Sequence, residues 1–383
     1  MTEKNKSIRN FPTLRFPEFK EEWERKKLGG IAKFSKGKGI SKIDIDENGE
    51  TECVRYGELY THYGEVITDI KSKTNIDKSS LVLSEGNDVI IPASGETQID
   101  IATASCVLKS GVALGGDLNI IKTSNDGVFL SYYLNSKKKM DIARLSQGIS
   151  VVHLYSSQLA LLTLNLPKLD EQRKIASFLS LLDERIRLSM KIIEVLRTLK
   201  IETRKRLITK IIKDEYEPLL IKEILNYEQP TKYIVTSTDY SSDKTLIPVL
   251  TANKAFVLGY TDENFGIYDK GNCIILDDFT MDLKYVDFSF KVKSSAIKLL
   301  TAKEGVNLKY VFEYFSFLNF SSSEHKRHYI SEIEQISIIL PPLEIQNKIA
   351  NYFSKIDEKL KTERDIYDLL VQQKTYLLAN LFV

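Results

Sequence analysis

Leu166-Pro-Lys-Leu-Asp-Glu-Gln-Arg-Lys-Ile-Ala-Ser-Phe-Leu-Ser-Leu-Leu-Asp-Glu184 returns 174 residues later as Leu340-Pro-Pro-Leu-Glu-Ile-Gln-Asn-Lys-Ile-Ala-Asn-Tyr-Phe-Ser-Lys-Ile-Asp-Glu358, identical at 10 of 19 positions. That period far exceeds the ~20–50 residues of solenoid repeats, so what is duplicated is a module of domain size. Each copy opens on an apolar, strand-like run that ends in proline (Leu161 to Pro167, Ile336 to Pro341), and proline stops the sheet from continuing.

A helix follows in both copies. In the first, Ile175, Leu179, Leu182, Ile186, Ser189, Ile193, Leu196, Lys200, Thr203 and Leu207 are spaced alternately four and three apart; in the second, Ile349, Phe353, Ile356, Leu360, Glu363, Tyr367, Leu370, Lys374, Leu377 and Leu381 keep that spacing. A period of 3.5 sustained over about four heptads marks a coiled-coil seam, whereas a helix lying on a globular core shows a broader stripe. Each helix should run to roughly 40 residues, about 60 Å at ~1.5 Å per residue. The seam is interrupted at equivalent places, Ser189 with Glu363 and Lys200 with Lys374. An antiparallel pairing centred between these layers sets Lys200 against Glu363, Ser189 against Lys374, Ile186 against Leu377 and Leu207 against Ile356.

The remaining segments, roughly 20–160 and 218–335, are rich in β-branched and aromatic residues and read as mixed α/β domains. The first offers strands at Asp88 to Pro92 and Asn119 to Lys122 and a helix from Val128 to Leu145. The second offers strands at Asn272 to Leu276 and Val286 to Val292 and a helix from Leu308 to Phe317. The predicted fold class is α+β: a first mixed domain over 1–165, a helical region over 166–214, a second mixed domain over 215–338 and a second helical region over 339–383. The two long helices form an antiparallel coiled coil and the chain an internal pseudo-two-fold repeat, with a head at either end of a rod.

Composition narrows the function. At 383 residues the chain is too long for a single core, and its 43% hydrophobic and 28% charged residues exclude wholesale disorder. No run reaches the ~18 apolar residues of a membrane span, and the opening MTEKNKSIRNFP lacks a secretory core, so a cytoplasmic location is expected. With 54 basic against 52 acidic residues the net charge is only +2, so any nucleic-acid surface must be local. Cys53, Cys106 and Cys273 have neither disulfide nor zinc spacing.

At this point the residues resemble the specificity subunits of type I restriction-modification systems. The opening Leu14-Arg-Phe-Pro-Glu-Phe-Lys-Glu-Glu-Trp23 with Lys27-Leu28 looks like the start of such subunits, and Leu166 to Ala176 with its copy Leu340 to Ala350 is similar to their conserved-region signature. Arg55 to Tyr60 with Pro92 to Thr97, and Leu250 to Lys254 with Asp277 to Thr280 and Phe290 to Ser295, look like blocks of two kinds of target recognition domain. The second copy departs at Ile345, where that family often has Glu, and its opening before Ile221 is abbreviated.

The resemblance implies a non-catalytic subunit that reads a bipartite site in double-stranded DNA, one half per variable domain, while its helices dock two modification (methyltransferase) subunits. Restriction subunits, the translocase and nuclease, would join the complex. S-adenosylmethionine, ATP and Mg would belong to those partners, and this chain would hold no cofactor. Two rival readings are an enzyme in which recognition and methylation are fused, which the missing catalytic motifs argue against, and a coiled-coil scaffold that binds only proteins.

The residues themselves show no chemistry of their own. There is no Asn-Pro-Pro-aromatic or Asp-Pro-Pro-aromatic tetrapeptide for a flipped base and no complete phosphate-loop fingerprint; His325-x-x-His328 is read with Lys326 and Arg327 as a small basic cluster, and Asp277-Asp278 lacks a spaced Glu-x-Lys. Phosphates are expected to meet Lys and Arg, and base edges to meet Arg, Lys, Asn, Gln, Asp, Ser and Thr. The candidates are Lys36, Lys38, Arg55, Tyr56, Tyr60, Ser94 and Thr97 in the first domain, and Lys254, Asp278, Thr280, Lys293, Ser294, Ser295, Lys326 and Arg327 in the second. Arg204-Lys-Arg206 on the first long helix is either a solvated face or lies near phosphates between the half-sites. The coiled-coil contact set is Ile186, Ser189, Ile193, Leu196 and Lys200 with Leu360, Glu363, Tyr367, Leu370 and Lys374.

If the helices act as a ruler, a four-residue insertion after Leu199 adds about 6 Å, close to two base-pair steps of ~3.4 Å. Sequencing the methylome of a host carrying that variant should show unchanged half-sites with a longer gap; an active complex with an unaltered gap would contradict the ruler.

Overall fold

The computed structural model describes residues 10–148, 151–252, 255–320, 329–330 and 332–383. Two helices dominate it, Leu169–Lys213 and Leu343–Asn380, of 45 and 38 residues. The chain divides by its contacts into two units: residues up to Ser189 with Ile366–Val383, and Met190–Asp365. The division cuts through both long helices, because the start of one helix and the end of the other belong to the same head.

In the first unit a five-stranded sheet runs in the order Ala32–Lys36, Leu118–Thr123, Asp88–Pro92, Ser105–Val107, Val66–Ile67, antiparallel except for the last pair. Beside it Ser72–Thr74, Thr51–Val54 and Ala113–Leu114 form a smaller sheet whose last pair is parallel. The helix expected from Val128 to Leu145 is broken into Gly127–Ser136 and Lys139–Leu145. The amides of Lys137 and Lys138 both donate to the Tyr133 carbonyl, closing the first helix. Glu24–Lys27 pairs with Thr163–Leu166, the strand that leads through Pro167 into the first long helix.

The second unit repeats this plan with one strand fewer in the main sheet and, among the described residues, no counterpart of the Ser94–Gly95 and Val152–His153 pair. Its main sheet runs Leu225–Glu228, Ile297–Ala302, Cys273–Asp277, Leu283–Val286, and its smaller sheet runs Val257–Thr261, Ile247–Leu250, Lys291–Val292, the last pair again parallel. The run expected as one strand from Val286 to Val292 therefore splits between two sheets, with Phe290 bridged to Tyr268 on the way. Pro218–Leu220 pairs with Ser337–Ile339 as the lead into the second long helix.

Matching side chains tie each head to its helix. The amide of Gln172 accepts from the Asp126 N–H at 3.0 Å and donates to the Pro167 carbonyl at 2.9 Å; Gln346 accepts from the Asn307 N–H at 2.8 Å and donates to the Pro341 carbonyl at 2.8 Å. Asp126 and Asn307 are the N-caps of the head helices Gly127–Ser136 and Leu308–Leu318. Tyr133 and Tyr314 on those helices accept from the N–H of Asn165 and Ile339 in the lead strands.

An ion cluster sits in each unit. Lys374 lies 2.7 Å from Asp183 and 3.0 Å from Glu65, and Tyr132 donates to Asp183 at 2.6 Å. In the other unit Lys200 pairs with Asp357 and Glu313, Lys309 pairs with the same two carboxylates, and Arg204 lies 2.7 Å from Glu313. Burial opposes the Lys374 ammonium, yet Glu65 and Asp183 outweigh it and hold its pKa above the usual lysine value; Lys309 is raised against its burial by Glu313 and Asp357. The expected pairs, Lys200 with Glu363 and Ser189 with Lys374, are thus replaced by Lys200 with Asp357 and Lys374 with Asp183. Asp183 and Asp357 each stand one position past a seam residue, Leu182 and Ile356, so both lysines reach the flank of the opposite helix, where Glu65 and Glu313 of the heads join them. Arg204, considered for phosphates, is committed to Glu313.

Of the expected contact set, Ser189, Ile193 and Leu360 are buried, Ile186 and Leu370 pack on the first unit's core with Leu377, and Leu196, Glu363 and Tyr367 are half-buried.

The departure at Ile345 has a structural counterpart. Glu171, the equivalent residue, is buried and receives Arg15 through two bonds of 2.7 and 2.6 Å and the Trp23 indole at 3.3 Å. The second copy has an abbreviated opening and so no arginine or tryptophan to receive. Glu171→Ile should therefore strand the Arg15 guanidinium and destabilise the first unit by about 3 kcal/mol, read in calorimetry as a lower melting temperature for that unit alone; an unchanged melt would contradict this role.

Candidate functional site

In the first unit the parallel strands Thr51–Val54 and Ala113–Leu114 deliver their following turns side by side. The Gly115 N–H donates to the Val54 carbonyl, Gly116 to Gly39, Lys38 to Leu114, Ala93 to Asp117 and Leu154 to Ala93, at 2.7–2.9 Å. Five separate stretches, 36–39, 55–60, 93–97, 115–117 and 153–155, thereby meet at one edge. Gly37 permits the approach: a Cβ there would lie 2.0 Å from the Gly115 carbonyl oxygen.

Lys36 and Lys38 are exposed at this edge. Arg55 is held by the buried Glu58 through its Nε and Nη2 at 3.2 and 3.0 Å, leaving its side chain 25% exposed. Tyr56 and Tyr60 are half-buried, and the Tyr60 phenol is pushed up by burial and by Tyr56, Glu96 and Asp100 nearby. Ser94 is buried in a strand pair with His153, and the Thr97 hydroxyl caps a short helix while donating to Asp100 at 2.6 Å. Ser94 and Thr97 thus shape the edge.

The second unit builds a corresponding edge. Lys293 donates its N–H to the Leu250 carbonyl and Asp278 to Ala296, joining 250–252, 277–280 and 293–296. Lys293, Ser295 and Thr280 are exposed and Ser294 is half-buried; the Thr280 hydroxyl donates to Asp282 at 3.1 Å. Asp278 is buried, accepts the Tyr329 N–H at 2.8 Å and lies 3.3 Å from the Lys298 ammonium. The expectation that Asp278 meets a base is therefore replaced by an internal tie between three segments. Lys254, Lys326, Arg327, His325 and His328 lie outside the described residues.

Two features escaped sequence reasoning. In the first unit the outward row Val151, His153, Tyr155 stands at the edge; the alternation was present but too short to separate from a loop. In the second, the fully buried Lys291 lies 2.7 Å from Glu263 and donates to the Phe265 carbonyl at 2.7 Å, anchoring the turn at 263–266. No sequence motif marks that pair.

Among the described residues no group of three or more His, Cys, Asp or Glu is placed to hold a metal, and no helix is long and apolar enough to cross a membrane. Cys53, Cys106 and Cys273 are buried, their thiols pushed up to about 11, about 12 and about 12, chiefly by burial, which leaves them protonated and inert near neutrality.

Comparison with known proteins bears on both units. The model of the type I restriction modification DNA specificity domain matches residues 20–198 and again 213–371. The specificity subunit of the type I restriction enzyme EcoR124I/EcoR124II from Escherichia coli is 46% identical over 154 residues, 37% of this chain and only 38% of that protein. The putative MjaX specificity subunit of Methanocaldococcus jannaschii is 24% identical over 400 aligned positions, covering 93% of this chain and 91% of its own length. Among solved structures, the type I restriction-modification S subunit from M. genitalium superposes with a TM-score of 0.74 at 17% identity, covering 97% of this chain and 99% of that one. A chain from a study of complex assembly in a type I system gives 0.50 at 15% identity, covering 94% and 97%.

The Glu263 carboxylate is lowered to about 2, first by Lys291 and then by Thr236, against the opposing effect of burial. A depressed folded-state pKa contributes stability that is full above about 4.5 and is lost as pH falls toward 2. Melting curves between pH 7 and 3 should show the second unit weakening below about 4.5, and Glu263→Gln should flatten that dependence; an identical pH profile in the variant would exclude the pair as its source.

Proposed function

Because the chain belongs to the type I restriction-modification DNA specificity family, we propose that its two units each read one half of a bipartite site in double-stranded DNA and that its long helices dock two modification subunits. The observation that carries this reading is the duplication itself: one sheet plan built twice, each copy ending at its own cluster of exposed turns, with different residues in the two clusters. Equivalent scaffolds with unlike tips suit a protein that must read two unlike sequences.

The first unit offers exposed Lys36 and Lys38 beside half-buried Tyr56 and Tyr60; the second offers exposed Lys293, Ser295 and Thr280. Lysines position the duplex through phosphates, while hydroxyl and aromatic groups discriminate among bases. Docking finds support on the first long helix. Ile192, Val195 and Leu199 stand one position before seam residues and are 39–56% exposed, an apolar face ready for a partner helix. The coiled-coil role of the seam residues belongs to the same proposal, as does the absence of chemistry from this chain: methylation, ATP hydrolysis and cleavage are assigned to the partner subunits with their S-adenosylmethionine, ATP and Mg.

Replacing residues 218–335 with the matching segment of a relative should change one half of the methylated site and leave the other intact. Methylome sequencing of a host carrying the chimera and the modification partner reads this directly. A change in both halves would argue for a single composite reader.

A further inference from the structure

In the first unit, Val152–His153 is a short strand about which burial alternates: Val152 and Leu154 are buried, while Val151, at a bend, and Tyr155 are 52% and 47% exposed and His153 is exposed between them. The strand is paired on both sides. Val152 and His153 pair with Gly95 and Ser94, His153 exchanges both backbone hydrogen bonds with Gln147 at 2.9 and 2.7 Å, and Leu154 donates to Ala93. Gly148 sits at φ +127°, and a Cβ there would lie 2.0 Å from the Val151 carbonyl oxygen, so this close return of the chain requires glycine. The His153 and Tyr155 rings stack at 6.4 Å and 24°, and the Lys36 ammonium lies 6.0 Å from the Tyr155 ring.

We infer that Val151, His153 and Tyr155 are the base-reading ridge of the first unit, with Lys36 set to take a phosphate at its end. The inference rests on the reading that this unit binds DNA and adds which residues discriminate. Alternate residues of an extended strand are about 6.6–6.8 Å apart, close to two base-pair steps of ~3.4 Å, so His153 and Tyr155, their rings 6.4 Å apart, are spaced to meet bases two steps apart along the groove. A short β-ribbon fits the major groove, whose width is ~12 Å. Val151 and the Tyr155 ring present apolar surface suited to a thymine methyl, and the His153 imidazole presents a nitrogen to a purine N7 or an exocyclic amine. The row predicts a first half-site that contains thymine.

The test compares wild type with His153→Ala, Tyr155→Ala and Lys36→Gln, each assembled with the modification partner. The methylome and competition binding against single-base variants of the site are read together, with thermal melting to confirm folding. His153→Ala and Tyr155→Ala should relax the first half of the motif, lowering discrimination there about tenfold, while the second half stays intact. Lys36→Gln should weaken all sequences alike and lower the salt slope by about one. Folded His153→Ala and Tyr155→Ala variants that keep the full motif and discrimination overturn the ridge, as does loss of modification-subunit binding with the motif preserved, which would make the row a protein contact. If wild type yields no motif, the DNA reading itself fails, an outcome distinguishable from failure of the ridge.

Discussion

A lysine from one long helix meets an aspartate from the other, and the sequence repeat forces this contact to occur twice. Asp183 and Asp357 are equivalent positions, as are Lys200 and Lys374, so Lys374 with Asp183 and Lys200 with Asp357 are the same contact made with the copies exchanged. Each pair is joined by a carboxylate from its own head, Glu65 or Glu313. Ion pairs of this kind give little net stability, since withdrawing both charges from water offsets most of their attraction. Their value lies in specificity: a lysine displaced along an apolar seam would lose two carboxylates at once. The head is thereby seated at one place on its helices, and the turns at its far edge inherit that placement.

The two copies have diverged around this shared tie. The first head helix presents Tyr132 to Asp183 where the second presents Glu313 to three cations, and each residue stands immediately before the tyrosine that accepts from its lead strand. The first copy adds an N-terminal segment locked by Glu171; the second has Ile345 in that place. Changes of partner are tolerated so long as every buried charge keeps one. The exposed turns at the edges of the two heads carry no such obligation, and their residues differ.

How much was legible in the sequence follows from range. The repeat, the 3.5-residue seam and the proline-terminated strands are local patterns, and they led directly to two long helices and two mixed heads. The partners of the lysines were not legible, because Asp183 and Asp357 lie just outside the apolar seam and Glu65 and Glu313 come from sequence-distant elements. Asp278 read as an exposed acceptor because its pairing with Lys298 and the Tyr329 amide depends on the folded course of the chain. Arg204 read as a surface cation for the same reason. The short alternation at 151–155 is indistinguishable from a loop in the sequence, because its strand character comes from pairing with Ser94 and Gly95.

A double-mutant cycle on Asp183 and Lys374 tests most directly the claim that the duplicated pair seats the heads. Asp183→Asn, Lys374→Met and the double variant would be compared with wild type by denaturant melting of the first unit. The account predicts that the two losses fall short of additivity by about 1 kcal/mol or more, with the second unit unaffected. Strictly additive losses would show that the apolar seam alone holds the head, and would contradict it.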